Sequence, residues 1–337
     1  MLQCSEDVLA EVHDTAVLDL DGVVYVGQAA VAGAAEDLRR AVEKGMQLAF
    51  ITNNAARTPA SVAEHLRRLG IDARDEDVVT SAQAAARLCA RHLPDGAAVY
   101  VIGGEGLEVA LRELGLRPVT NPEDEPVAVV QGYGPDMPWR QVVEGAILVR
   151  QGLPWVASNM DLTIPTASGV GPGNGTLVEL VARYAGRDPE VAGKPERPLF
   201  EETVLRVGAE RPLVIGDRLD TDIAGARAMS WPSLLVMTGV TGVAELVAAP
   251  AGQRPTYLSA GLAGLLEPHP APQGSGGGAW TCSGWEAVVQ DDRLVVSGDG
   301  AVDNWWRAVA AASWAHLDEK GTAPTTDGLT PPTRPGR

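Results

Sequence analysis

Residues 16–24 read A-V-L-D-L-D-G-V-V, an apolar run that ends in two carboxylates, Asp19 and Asp21, followed by a glycine. Positions two apart on a strand share a face, so a strand here would aim both acids into one pocket. The carboxyl ends of parallel strands are where open α/β sheets hold their ligands. Two neighbouring carboxylates suggest a cation between them.

Three other stretches have the same character: a short apolar run that stops at a polar residue suited to phosphate chemistry. Leu48–Asn54 (L-A-F-I-T-N-N) stops at Thr52, with Asn53 beside it. Residues 191–195 (V-A-G-K-P) offer Lys194 in a turn, and 212–222 (P-L-V-I-G-D-R-L-D-T-D) deliver Asp217 and Asp222. Each signal has a bland reading when taken alone. D-x-D can be a solvated turn, Thr-Asn a turn signal, Lys-Pro a surface loop, and G-D-R-L-D a helix cap. Their strand-end setting and their order along the chain favour a site.

The chain has 337 residues, 45% of them hydrophobic, and a formal charge of −17. That length supports a full core and two or more domains. The acidic balance disfavours nucleic acid and anionic membranes as partners. No apolar run reaches the roughly 18 residues needed to cross a bilayer, and the N-terminus lacks a signal-peptide pattern. The expected location is the cytoplasm. Cys4, Cys89 and Cys282 are far apart and without C-x-x-C spacing, which reads as reduced thiols. No two of the five histidines stand at metal-ligand spacing.

Apolar runs at 15–20, 48–52 and 213–216 alternate with helical patterns at 34–44 and 59–69, the mark of a parallel α/β sheet. The interval from Thr52 to Lys194 is long enough for a second α/β domain, with strands expected at 97–102, 128–131 and 155–157 and helices at 105–114 and 140–150. The glycine-rich stretch 169–176 lacks the G-K-[ST] ending of a nucleotide loop and is expected to start a tightly packed helix. After Leu266 the composition turns to P-H-P-A-P-Q-G-S-G-G-G, a linker composition. Five of the eight tryptophans follow, with strands expected at 280–290 and 293–297 around Asp291-Asp292 and a helix at 302–319. Some 40 residues is close to the lower limit for folding alone. The module is therefore expected to dock on the body of the protein or on a second copy.

The ordered set D-x-D-G-V, strand-end Thr, G-K-P and G-D-R-x-x-T-D-I resembles the haloacid dehalogenase superfamily of phosphohydrolases. V-V-Q-G-Y (129–133), A-S-N-M-D (157–161) and P-G-N-G-T (172–176) resemble its large-cap, NagD-like branch, although relatives often carry N-P-D where this chain has Asn159, Met160 and Asp161. With V-V-T-S-A-Q, R-P-T-Y and the Trp-rich extension added, the chain looks like the actinobacterial D-glycerol 3-phosphate phosphatases. The implied fold class is α/β: a doubly wound, Rossmann-like parallel-sheet core with an inserted α/β cap and a small C-terminal α+β module. The implied boundaries are core 1–80, cap 81–188, core 189–267, linker 268–278, module 279–320 and a disordered tail 321–337.

The resemblance implies Mg2+-dependent hydrolysis of a small phosphate ester, glycerol 3-phosphate first, through an aspartyl-phosphate. Asp19 would be the nucleophile and Asp21 the general acid and base. Thr52, Asn53 and Lys194 would bind the phosphoryl oxygens. Asp19, the main-chain carbonyl of Asp21, and Asp217 would hold the metal, with Asp222 behind them. Tyr133, Asp136, Asn159 and Asp161 are the expected specificity positions of the cap. Phosphoglycolate, nitrophenyl-type esters and a non-catalytic phosphate-binding scaffold remain alternatives, and a homo-oligomer is left open. A dehalogenase is disfavoured, because Asp21, Asp217 and Asp222 are all present.

Overall fold

The computed structural model describes residues 1–332 except Ala167. The part of the expected tail at 333–337 lies outside the described residues. The chain divides into two compact units, residues 1–48 with 210–337, and residues 49–209.

The first unit is built on parallel strands in the order Tyr257–Ser259, Ser233–Val236, Pro212–Gly216, Thr15–Leu18. These strands are buried along their whole length. That explains why they read as unbroken apolar runs and show no alternation. The register pairs Leu18 with Ile215 and Ile215 with Leu234. Strands of one direction and this register end together, so Asp19 and Asp217, each the first residue past its strand, emerge at the same rim.

The C-terminal segment belongs to this unit. Its four-stranded antiparallel sheet runs Gln273–Gly276, Ala279–Cys282, Trp285–Gln290, Arg293–Gly298 and is followed by the helix Val302–Lys320. The single strand expected over 280–290 is broken at Ser283-Gly284. Both residues of that turn have positive φ, as do Gly277-Gly278 and Asp291-Asp292, and the flanking residues pair directly across each turn. These are three two-residue hairpins of the kind that suits right-twisted strands.

The stretch expected to be a linker is ordered. His269 is buried and exchanges main-chain hydrogen bonds with Ser5 (2.8 and 2.9 Å), and Gln273 already starts a strand. In the expected tail, Thr325 N donates to Asp292 O at 2.8 Å. Trp305, Trp306, Val309 and Trp314 share one core with Leu235, Leu246 and Leu258 of the body. The module therefore docks on the body of its own chain, as its small size demands.

The second unit begins within the strand Gln47–Thr52, whose last residues pair in parallel with Val78–Thr80. Its larger sheet is parallel, in the order Glu190–Val191, Trp155–Ala157, Ala128–Gln131, Ala98–Ile102, Arg117–Val119. Tyr100, Ile102, Val129 and Trp155 form a core with Val142 and Val149 of helix Trp139–Arg150 and with Val178 and Val181 of helix Asn174–Ala185. The glycine-rich stretch 169–176 forms the strand Gly169–Pro172 and the start of that last helix. Both expected cap boundaries, 80/81 and 188/189, fall inside this unit.

Candidate active site

Each unit holds one cluster of the residues singled out in the sequence. In the first unit, Asp19, Asp217 and Asp222 each present a carboxylate oxygen within 4.8 Å of the others. Asp19 N donates to Ile215 O (2.9 Å), which fixes it at the strand end. Asp217 is completely buried and Asp222 nearly so.

The local sequence makes this crowding sterically feasible. A Cβ at Gly239 would stand 2.0 Å from Asp217 Oδ2, one at Gly22 2.4 Å from the same oxygen, and one at Gly216 2.3 Å from Asp222 Oδ2. Gly22 also has φ of +85°, which disfavours any side chain. Asp222 sits in a π-helical turn, Leu219–Ile223, and accepts a hydrogen bond from Arg218 N at 3.1 Å.

A loop outside the four core motifs completes the cluster. Val240 N donates to Asp217 Oδ2 (2.6 Å), Thr241 Oγ1 to Asp217 O (2.5 Å) and Thr238 Oγ1 to Gly22 O (2.5 Å). The available signal was T-G-V-T at 238–241, a polar turn directly after the apolar strand 233–236. Asp21 is exposed at the start of the turn that follows Asp19, beside a bridge to Tyr25. Asp220, next to the cluster, is hydrogen-bonded to Arg218 at 2.7 and 3.0 Å, and this bond holds its carboxyl below the usual range.

Three carboxylates so close repel one another strongly unless a cation sits among them. The donors are all oxygen, with neither histidine nor thiolate, which suits a hard divalent ion such as Mg2+. Asp19, Asp217 and Asp222 therefore fit the metal that the sequence pointed to.

In the second unit, Thr52, Asn53 and Lys194 are buried. Asn53 is the hub. Its Oδ1 accepts from Lys194 N (2.8 Å), and its Nδ2 donates to Lys194 O (3.1 Å) and to Asp161 Oδ1 (3.3 Å). Its carbonyl accepts from Ser81 Oγ (2.6 Å) and Asn159 Nδ2 (2.7 Å). Thr52 Oγ1 accepts from Asn54 N at 3.0 Å. Gly193 allows Lys194 to approach, since a Cβ there would lie 2.6 Å from Asn53 Oδ1 and 2.5 Å from Ser158 O.

The stretches 157–161 and 172–176 meet at this hub. Asn174 Nδ2 donates to Asn159 O (2.8 Å) and Gly175 N to Asp161 O (2.9 Å). A Cβ at Gly173 or Gly175 would collide with the 160–161 main chain. Asn159 has both ends of its amide engaged, to Asn53 O and from Asp161 N. Tyr133 and Asp136 lie in the loop after Ala128–Gln131, with Asp136 exposed; that loop starts beside Ser158, whose N donates to Gln131 O at 2.7 Å.

A family model described as haloacid dehalogenase-like hydrolase matches residues 16–117, and a HAD-hydrolase-like model matches 191–265. The chain is 43% identical to the D-glycerol 3-phosphate phosphatase of Mycobacterium tuberculosis, over 91% of this chain and 87% of that protein. The chain belongs to the haloacid dehalogenase-like hydrolases.

Other members are similar to it. The acid sugar phosphatase of Staphylococcus aureus is 34% identical over 68% of this chain and 88% of its own length. The crystal structure of the M. tuberculosis glycerol phosphate phosphatase in complex with magnesium superimposes with a TM-score of 0.83 at 41% identity, covering 92% of each chain. The p-nitrophenyl phosphatase of Archaeoglobus fulgidus gives 0.68 at 28% identity, covering 74% of this chain and 97% of that one. The two family-model matches thus cover Asp19, Asp217 and Asp222 of the first cluster and Thr52, Asn53 and Lys194 of the second. Among the described residues, no helix is long and apolar enough to cross a membrane.

Proposed function

We propose that this chain is a Mg2+-dependent phosphomonoesterase that hydrolyses glycerol 3-phosphate to glycerol and phosphate in the cytoplasm. The observation that carries the reading is the Asp19–Asp217–Asp222 cluster, held by three glycines and the 238–241 loop. It stands in a chain whose relative over nine-tenths of its length acts on D-glycerol 3-phosphate.

Asp19 is assigned the nucleophile. Its carboxylate attacks phosphorus, the ester P–O bond breaks, and an aspartyl-phosphate forms. Asp21, exposed on the next turn, gives its proton to the departing alkoxide. It then takes one from the water that attacks the intermediate, which releases phosphate and restores Asp19. Asp19, the Asp21 carbonyl and Asp217, with Asp222 behind them, would hold Mg2+, which when bound would supply positive charge to offset that of the phosphoryl group. Thr52, the main chain at Asn53, and Lys194 are assigned to those oxygens by their place in the family's motifs.

Residues 1–80 and 189–267 are assigned to the catalytic core, 81–188 to an inserted cap and 279–320 to the appended module. Leaving-group choice is assigned to Tyr133, Asp136 and Asp161, with Asn159 bracing the last. The likeness to acid sugar and nitrophenyl phosphatases supports a second reading, a broader preference among small phosphate esters.

The test is phosphate release from glycerol 3-phosphate, phosphoglycolate, nitrophenyl phosphate and a nucleoside monophosphate, with and without Mg2+. Selective Mg2+-dependent turnover of glycerol 3-phosphate supports the assignment. Equal turnover of all four replaces it with the broader one, and no turnover of any replaces it with a scaffold.

A further inference from the structure

The C-terminal module ends in a helix, Val302–Lys320, whose tryptophans lie in the same buried core as Leu219 and Ile223, the two apolar residues of the turn that carries Asp222. Leu246 and Val247 of the short helix Val243–Val247 belong to the same core. That helix directly follows the 238–242 loop, whose Val240 N and Thr241 Oγ1 hold Asp217.

Five residues are too few to fix a helix by its own hydrogen bonds. Its place is set by what grips it. Trp314 Nε1 donates to Leu246 O at 2.8 Å from a completely buried indole. Just beyond, Arg254 donates from Nε to Ala249 O (3.0 Å) and forms two parallel bonds, both 2.7 Å, with Asp318. The same guanidinium lies 5.3 Å from the centre of the Trp314 ring. The segment 238–254 is thus held at both ends, by Asp217 at one and by Trp314 and Asp318 at the other.

We infer that the C-terminal helix is a positioning element for the metal-ligating loops, acting through Trp314 and Asp318 on residues 238–249 and thereby on Asp217. The module then contributes to Mg2+ affinity without touching metal or substrate. This inference rests on the proposed phosphatase reading.

The experiment measures Mg2+ binding by calorimetry on full-length wild type, Trp314→Phe and Asp318→Asn, with glycerol 3-phosphate kinetics across a Mg2+ series. Trp285→Phe serves as the control. It removes a 3.1 Å bond from Trp285 Nε1 to Ala301 O at the far end of the same helix, and so weakens the module without loosening the grip on residues 246–254. The expected result is a rise of at least threefold in the Mg2+ dissociation constant for Trp314→Phe and Asp318→Asn. KM for the ester at saturating Mg2+ should be unchanged, and Trp285→Phe should bind Mg2+ like wild type.

Equal Mg2+ affinity in wild type and both variants, whatever their melting temperatures, overturns the inference. So does an equal loss in Trp285→Phe, which would reflect general destabilisation. Should Trp314→Phe fail to fold, Asp318→Asn, altered at the solvent-facing end of its pair, decides alone. Failure of wild type itself to bind Mg2+ would refute the phosphatase reading instead.

Discussion

Gly239 leaves no room for a side chain against Asp217: a Cβ there would lie 2.0 Å from the carboxylate Oδ2 and 2.8 Å from Gly22 Cα. The buried acid thus packs against two neighbouring glycine main chains, and one methyl group would displace it. Gly239→Ala is expected to raise the Mg2+ concentration for half-maximal activity by about tenfold or more, since forcing a methyl into a packed site costs roughly 1–3 kcal/mol. A Mg2+ titration of phosphate release that matched wild type would contradict this.

Asp19→Asn keeps the shape of the side chain and removes its nucleophilicity. Turnover is expected to fall at least about a thousandfold, in line with losing a group on which every catalytic step depends. Circular dichroism should stay at wild type. Substantial residual hydrolysis by a purified, folded variant would reassign the nucleophile.

Asn53→Ala would leave the Lys194 main chain and the Asp161 carboxylate without the amide that now joins them. A buried main-chain group that loses a hydrogen bond costs about 1–3 kcal/mol. A loss of stability of about 2 kcal/mol or more is expected by urea denaturation, with a higher KM for the ester. A variant as stable as wild type would show that the hub is dispensable.

His269 links the module to the body. Its Nδ1 lies 3.0 Å from Arg307 Nη2 and its Nε2 2.7 Å from Gly264 O. Burial and then the Arg307 charge push its pKa down from 6.5 to about 4. The unfolded chain therefore takes up a proton between pH 6.5 and 4 that the folded chain refuses. Its contribution to stability is fully present above pH 6.5 and is lost as pH falls toward 4, by up to about 3 kcal/mol at one pH unit per 1.36 kcal/mol. His269→Gln, which does not titrate, should be less stable at pH 7 but show a shallower decline in this window. Parallel stability curves for the two proteins would remove His269 as the cause.

Asp291 and Asp292 adopt positive φ, 48° and 58°, in a two-residue hairpin. Replacing them with Asn and Gly matches the turn's preference and is expected to raise stability by about 0.5–1 kcal/mol. An unchanged or lower melting temperature for the double variant would refute that.

The candidate motifs were legible because residue type changes sharply at strand ends: an apolar run that stops at Asp19, Thr52 or Asp217 is visible in the sequence alone. The hairpin at Ser283-Gly284 is missed by a single strand over 280–290, although Ser-Gly is a turn signal and the apolar positions change phase there, from Trp280 and Cys282 to Trp285 and Ala287. The 268–278 stretch has the composition of a linker, yet His269 finds a main-chain partner in Ser5, more than 260 positions earlier. No local pattern encodes such a pairing. Nor could the sequence show that Val240 and Thr241 hold Asp217 while Thr238 holds Gly22, since their contribution comes largely from where a loop returns in space. Asn53 was legible as a polar strand end but not as a hub, because its partners at 81, 159, 161 and 194 are brought to it only by folding.

The shared core of Trp305, Trp306 and Trp314 with Leu246 and Leu258 decides how the chain can be shortened. A protein cut before residue 279 would bare the apolar side chains that those indoles now cover. Water would meet Leu235, Leu246 and Leu258 at once, and a surface of that kind favours self-association. A soluble truncated form therefore demands polar replacements on the body as well as the cut.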